Sequence, residues 1–141
     1  MREKVKRAIT LLEEGYTCAL VGEGKTLTSK QKGVAPLLAW LNSGENCKNV
    51  VAADKVVGKA AAYLYVLLGV AFVYAKVISK AAEAVFLRFE IPYDFEEKVE
   101  AIRNRAGDGY CPMERTVWEE TDPQRAYELI IQKRKQLQET K

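Results

Sequence analysis

Charged side chains interrupt an apolar stretch, "VVAADKVVGKAAAYLYVLL", from Val50 to Leu68. Asp54 and Lys55 stand at the end of what reads as a buried strand. Gly58 and Lys59 open what reads as an apolar helix. In open α/β sheets, ligands bind beyond the carboxyl ends of strands. Helix N-termini at those ends offer unpaired N–H groups and a partial positive charge, which favour anions. A lysine in the first helical turn opposes that dipole. The arrangement makes sense if Lys59 meets an anion or works with a lowered pKa. The competing reading is a lysine that reaches solvent or pairs with Asp54.

One unit later "VISKAAE" repeats the pattern, with Ser79 and Lys80 at a helix start. Two such helix ends, side by side over adjacent parallel strands, would form one cradle. Ser79 is also an ordinary helix cap, and Lys80 an ordinary solvated charge. A third stretch, "NRAGDGYCPMER", runs from Asn104 to Arg115. Its glycines permit unusual backbone angles. A cysteine near arginines can become a nucleophile, so Cys111 is a candidate, with Lys59 or Glu114 as its proton partner; the alternative is a small packing residue. Arg105 could hold a carboxylate or phosphate in two-pronged fashion or form a surface ion pair. Asn104 either joins it or shapes the turn.

Other chemistries are excluded or disfavoured. The chain has no histidine, which removes the commonest general base and metal ligand. Cys18, Cys47 and Cys111 are too scattered for a zinc motif or a disulfide framework. No metal ligands and no cofactor are assigned. "GEGKT" looks like the end of a P-loop, but Ala19 stands where that motif needs glycine; a hairpin turn fits better. The uncharged run from Ala60 to Ala75 is shorter than a spanning helix needs and is divided by Gly69. The net charge of +3 is small. The excess lies in a tail where Arg125, Lys133, Arg134, Lys135 and Lys141 outnumber Glu128 and Glu139, so nucleic acid is not expected as a partner. A reduced, cytoplasmic chain with no membrane segment is the expectation.

The elements that must position these residues alternate. Val5, Ala8, Ile9 and Leu12 mark a first helix closed by Gly15. "YTCALV" and "KTLTS" read as a hairpin, and "GVAPLLAWLNSG" as a short helix. "NVVAAD" and "VAFVYAKVI" read as buried strands, followed by helices "GKAAAYLYVLLG" and "SKAAEAVFLRF". Residues 91–120 read as irregular, with short strands near "YDFEEKV" and "EAIRNR". A last helix spans about 122–138, capped by Asp122. Trp40 and Trp118 read as core or rim packing. This order predicts a single α/β domain over residues 1–141, a three-layer α-β-α sandwich on a mixed sheet, with its core in about 1–120.

"ADKVVGKAAA" together with the downstream "NR…CPME" resembles a prokaryotic family, domain-of-unknown-function family 1893, over most of the chain. The resemblance implies a cytidine deaminase-like fold. It does not carry deaminase chemistry. Zinc deaminases place a His or Cys with a catalytic Glu at the first core helix and Pro-Cys-x-x-Cys at the next; here those places read "GKAAA" and "SKAAE". The expected site is therefore rebuilt without metal. Lys59 and Arg105 supply charge, Gly58 and Ser79 the helix N-termini, Asp54 orients Lys59, and Cys111 and Glu114 line the far wall. The expected ligand is a small anionic molecule, nucleotide-like or phosphorylated, with metal-independent catalysis by Lys59 or Cys111 as one outcome. The competing function is a non-catalytic accessory or interaction protein forming a homo-oligomer.

Overall fold

The structure is a computed structural model and describes residues 2–104, 106–107 and 109–139. Apolar spacing sets its elements. Helix α1 (Arg2–Glu13) buries Ala8, Leu11 and Leu12 on one face. Strands β1 (Cys18–Gly22) and β2 (Lys25–Ser29) form a hairpin. Its turn is Glu23–Gly24, because Gly22 pairs with Lys25. The "GEGKT" segment is thus a tight turn, and Lys25 is held by Glu45 at 2.7 Å. Helix α2 (Ala35–Asn42) follows. Then come β3 (Val51–Val57), α3 (Lys59–Leu68), β4 (Phe72–Ser79), α4 (Lys80–Arg88) and β5 (Tyr93–Val99). A five-residue helix α5 (Pro112–Thr116) and the long α6 (Pro123–Glu139) complete the order.

The five strands lie in the order β2-β1-β3-β4-β5. β1 is antiparallel to β2 and β3, whereas β3, β4 and β5 run parallel. The mixed α/β sheet with helices on both faces is as the sequence predicts, but the two helical layers are unequal. Among the described residues, helix α1 alone packs on one face, over Ala19, Val21, Val51, Ala53 and Tyr74. Residues of α2, α3, α4 and α6 share the larger core on the other. Helix α3 is enclosed there, with Ala60 through Tyr65 all buried, which explains a helix apolar on every side. Gly69 ends it in the left-handed conformation, φ 77°.

Two local expectations need correction, and Trp118 takes the rim place expected of it. β3 does not stop at Asp54 but continues to Val57. Ala52 and Val57 both enter the larger core, as do Val73 and Ile78 on β4. An odd spacing of five residues means that the alternation slips in both strands together, so their register survives. "EAIRNR" forms no strand; one bridge pairs Arg103 with Tyr110. Trp118 is half exposed and stacks at a tilt on Tyr110, ring centroids 5.2 Å apart. The capping expectations fare better. Ser79 accepts from the Ala82 amide at 3.1 Å, and Asp122 accepts from the Gln124 amide at 3.2 Å.

Candidate functional site

Parallel pairing of β3 and β4 brings the starts of α3 and α4 together, and the chain fills the cradle between them itself. Glu114, buried on α5, accepts from the Lys59 amide at 2.8 Å and the Ala60 amide at 3.0 Å. The Ser79 hydroxyl, at 3.5 Å, donates to the same carboxylate. Two otherwise orphaned helix N–H groups are satisfied by an internal anion at the positive end of the dipole. Gly58 is required by this approach, since a Cβ there would collide with the Glu114 carboxyl group. The other groups bonded to Glu114 are donors, and among the described residues no three His, Cys, Asp or Glu side chains group closely enough to hold a metal.

Asp54 occupies a separate position. It faces Cys18 across the antiparallel β1–β3 pairing and is 7 % exposed. The Tyr65 hydroxyl on α3 donates to Asp54 Oδ2 at 2.7 Å. The same hydroxyl oxygen lies 3.2 Å from Cys18 Sγ, within hydrogen-bond reach. Asp54 Oδ1 accepts a long bond, 3.4 Å, from the Val56 amide, and the Lys55 amide and the Cys18 thiol add weaker hydrogen bonds to the carboxyl. Burial raises the Asp54 carboxyl to about 7, opposed by the hydrogen bonds from Tyr65 and from the backbone. Burial, and then the Asp54 charge, push the Cys18 thiol and the Tyr65 hydroxyl upward as well.

Asp54 opens onto a cavity of about 420 Å³. Val34, Val56, Ala60 and Ala61 contribute apolar wall on the sheet and helix side. Ile102, Met113, Cys111 and Glu114 close it from the arm that follows β5. Three basic residues, Lys32, Lys55 and Arg103, complete the lining.

The predicted residues thus divide. Asp54, Lys55, Gly58, Cys111 and Glu114 line this cavity. Lys59, Ser79 and Lys80 line a neighbouring one of about 270 Å³, with Glu114 as the shared wall. Asp54 does not orient Lys59. The Lys59 ammonium donates to the Trp118 carbonyl at 2.8 Å and lies over the Tyr63 ring; burial lowers its pKa, and Glu114 and Glu120 oppose that. Lys80 pairs with Glu100 at 2.6 Å. Asn104 lies in a third hollow with Tyr110 and Arg115, and its side chain accepts from the Gly107 amide at 2.9 Å, shaping the turn. Arg105 lies outside the described residues. Sequence reasoning missed Cys18, Tyr65, Lys32 and Arg103. Cys18 looks like strand filling and Tyr65 like helix core; the β1–β3 register brings Cys18 to Asp54, and the packing of α3 on the sheet brings Tyr65.

No helix among the described residues is long and apolar enough to cross a membrane. No curated protein matches the sequence. Among solved structures, the chain is similar to the crystal structure of a DUF1893 family protein, TM1506, from Thermotoga maritima. The two are 25% identical with a TM-score of 0.88, and the match covers 94% of this chain and 91% of that one. The family model described as "TM1506: Domain of unknown function (DUF1893)" matches residues 7–133. Nearly the whole fold, from α1 into α6, lies within that match, and the chain belongs to domain-of-unknown-function family 1893.

Proposed function

We propose that the protein binds a small anionic molecule, nucleotide-like or phosphorylated, in the cavity beside Asp54, on a cytidine deaminase-like fold that works without zinc. One observation carries this reading: a buried, hydrogen-bonded carboxyl group opens onto an apolar-walled cavity whose lining also includes Lys32, Lys55 and Arg103. Its volume falls within the roughly 300–1,000 Å³ of small-molecule sites. A carboxyl group raised toward neutrality beside a cavity is a frequent mark of a functional site. The order β2-β1-β3-β4-β5, with two helix starts over the ends of β3 and β4, supports the fold proposal. For a reactive group, the geometry favours Cys111 over Lys59, because Cys111 lines the cavity while the Lys59 ammonium is bonded to Trp118.

A second reading, a non-catalytic interaction protein that self-associates, draws support from the exposed Tyr110–Trp118 pair and from Leu87, 64 % exposed. Mass spectrometry of freshly purified protein, native and then denatured, separates the two. The ligand reading expects extra mass in the native spectrum that is lost on denaturation, and lost natively in the Lys55→Gln, Arg103→Gln double variant. Mass that survives denaturation and maps to Cys111 would add covalent chemistry. A bare oligomer with no added mass, and no uptake of added ribose 5-phosphate, overturns the ligand reading in favour of the second.

A further inference from the structure

We infer that the cavity takes its ligand in one orientation: a ring bearing an N–H donor lies against Asp54, and an anionic group, phosphate or carboxylate, lies toward Lys32, Lys55 and Arg103. This rests on the ligand-binding reading above and names the class of molecule it would hold.

The two oxygens of Asp54 differ. Oδ2 is taken by the Tyr65 hydroxyl at 2.7 Å, and Tyr65 is fully buried, so that bond fixes the carboxyl plane. Oδ1 accepts a long bond, 3.4 Å, from the Val56 amide, and the carboxyl takes smaller contributions from the Lys55 amide and the Cys18 thiol. A carboxylate oxygen has two lone pairs, and a buried acceptor gains most from a donor that replaces water. The remaining neighbours do not supply a strong one. The Lys55 amide is shared with the Thr17 carbonyl, which it bonds at 3.1 Å, and the Cys18 thiol is a weak donor shared between Asp54 and the Tyr65 hydroxyl. Asp54 lines the cavity, and beyond Tyr65 its carboxyl is held only by long or weak contacts, which leaves capacity for one strong N–H donor.

Of the cationic residues, Lys55 follows Asp54 on β3 while Lys32 and Arg103 come from other segments, and all three are more exposed than Asp54. Lys32 and Arg103 are exposed, and Lys55 is half-buried. They belong to the β2–α2 loop, the arm and β3, so they converge on the cavity from three directions. The apolar part of the lining is Val34, Val56, Ala60, Ala61, Ile102 and Met113. Apolar walls suit ring faces better than a chain of hydroxyl groups. The raised pKa of Asp54 supports the same orientation: at neutral pH the carboxyl gains its charge most easily when a donor arrives with the ligand.

The test is calorimetric titration of the full chain with three probes: uridine 5′-monophosphate, its N3-methyl derivative, which lacks the ring N–H, and ribose 5-phosphate, which lacks the ring. Wild type, Asp54→Asn and Asp54→Leu are compared. The expected result is that wild type binds the nucleotide at least about tenfold more tightly than the N3-methyl form, the size of one good hydrogen bond. That preference disappears in Asp54→Leu, which has no acceptor, while ribose 5-phosphate binds all three proteins equally. A preference that persists in both Asp54→Asn and Asp54→Leu, the second having a similar shape and no acceptor, is steric and overturns the inference. So does equal binding of both nucleotides by wild type; ribose 5-phosphate binding would then leave the anion site standing. Failure of all three probes overturns the anion-binding reading and this inference together. The N3-methyl comparison on wild type needs no variant, so it decides the matter even if a variant folds poorly.

Discussion

Asp54 is a carboxyl group held where water scarcely reaches, and its stability cost depends on its charge. Unfolded, it titrates near about 3.9; folded, burial lifts it to about 7. Between these values the folded chain keeps a proton that the unfolded chain has released. Stability therefore falls as pH rises through this window and levels off above it. At 1.36 kcal/mol per unit, the part lying between pH 5 and 8 is about 3 kcal/mol. Asp54→Asn removes the titration and keeps the shape. Urea unfolding is expected to show the variant gaining about 3 kcal/mol on wild type between pH 5 and pH 8. A gap that does not change with pH would mean that Asp54 titrates normally in the fold.

Three helices meet at the Glu114 carboxylate, and this junction belongs to the scale of elements. Gly58 has φ −98°, an angle open to any residue, so its requirement is one of space alone. Gly58→Ala pushes a methyl group into Glu114, an overpacking of about 1–3 kcal/mol. Glu114→Ala leaves the Lys59 and Ala60 amides without their acceptor, a loss of about 1–3 kcal/mol. The pair is expected to be non-additive: Gly58→Ala should cost clearly less once Glu114 is gone. Denaturation of both single variants and the double variant measures this. Additivity to within about 0.5 kcal/mol would sink the steric account. The same junction shows what the sequence could disclose. The pairing of helix starts at Gly58 and Ser79 was legible, because strand and helix signals alternate there and capping residues stand at the right places. The occupant was not, because Glu114 lies 54 residues beyond Ala60 and no local pattern marks a residue that caps another element's helix. β3 was read too short for a related reason. Asp54 looks like a strand terminator until Cys18 and Tyr65 supply its partners from other elements. The arm from residue 100 to 118 has little periodicity to read, since single side chains such as Glu114 and Lys59 hold it in place.

At the scale of the molecule, the question is whether α6 belongs to the cooperative unit or rides on it. Its sequence is the most polar of the long helices and ends in a basic run, which alone would suit an appendage. Its buried face says otherwise. Ala126 and Ile130 are fully buried in the larger core beside α3, and Tyr127 packs at its edge and donates to Asn42 Oδ1 at 2.9 Å. Ile131, one position on, is 37 % exposed. The two isoleucines form a controlled pair, because truncating either to alanine changes helix propensity equally while only one empties core volume. Ile130→Ala is expected to destabilise the whole protein by about 2–5 kcal/mol. Ile131→Ala should stay within about 1 kcal/mol of wild type. Helix and core probes are read together during urea unfolding. If α6 is integral, Ile130→Ala lowers one shared midpoint, and circular dichroism and tyrosine fluorescence move together. If it is an appendage, the main midpoint stays where it was, and a small helical signal is lost ahead of it.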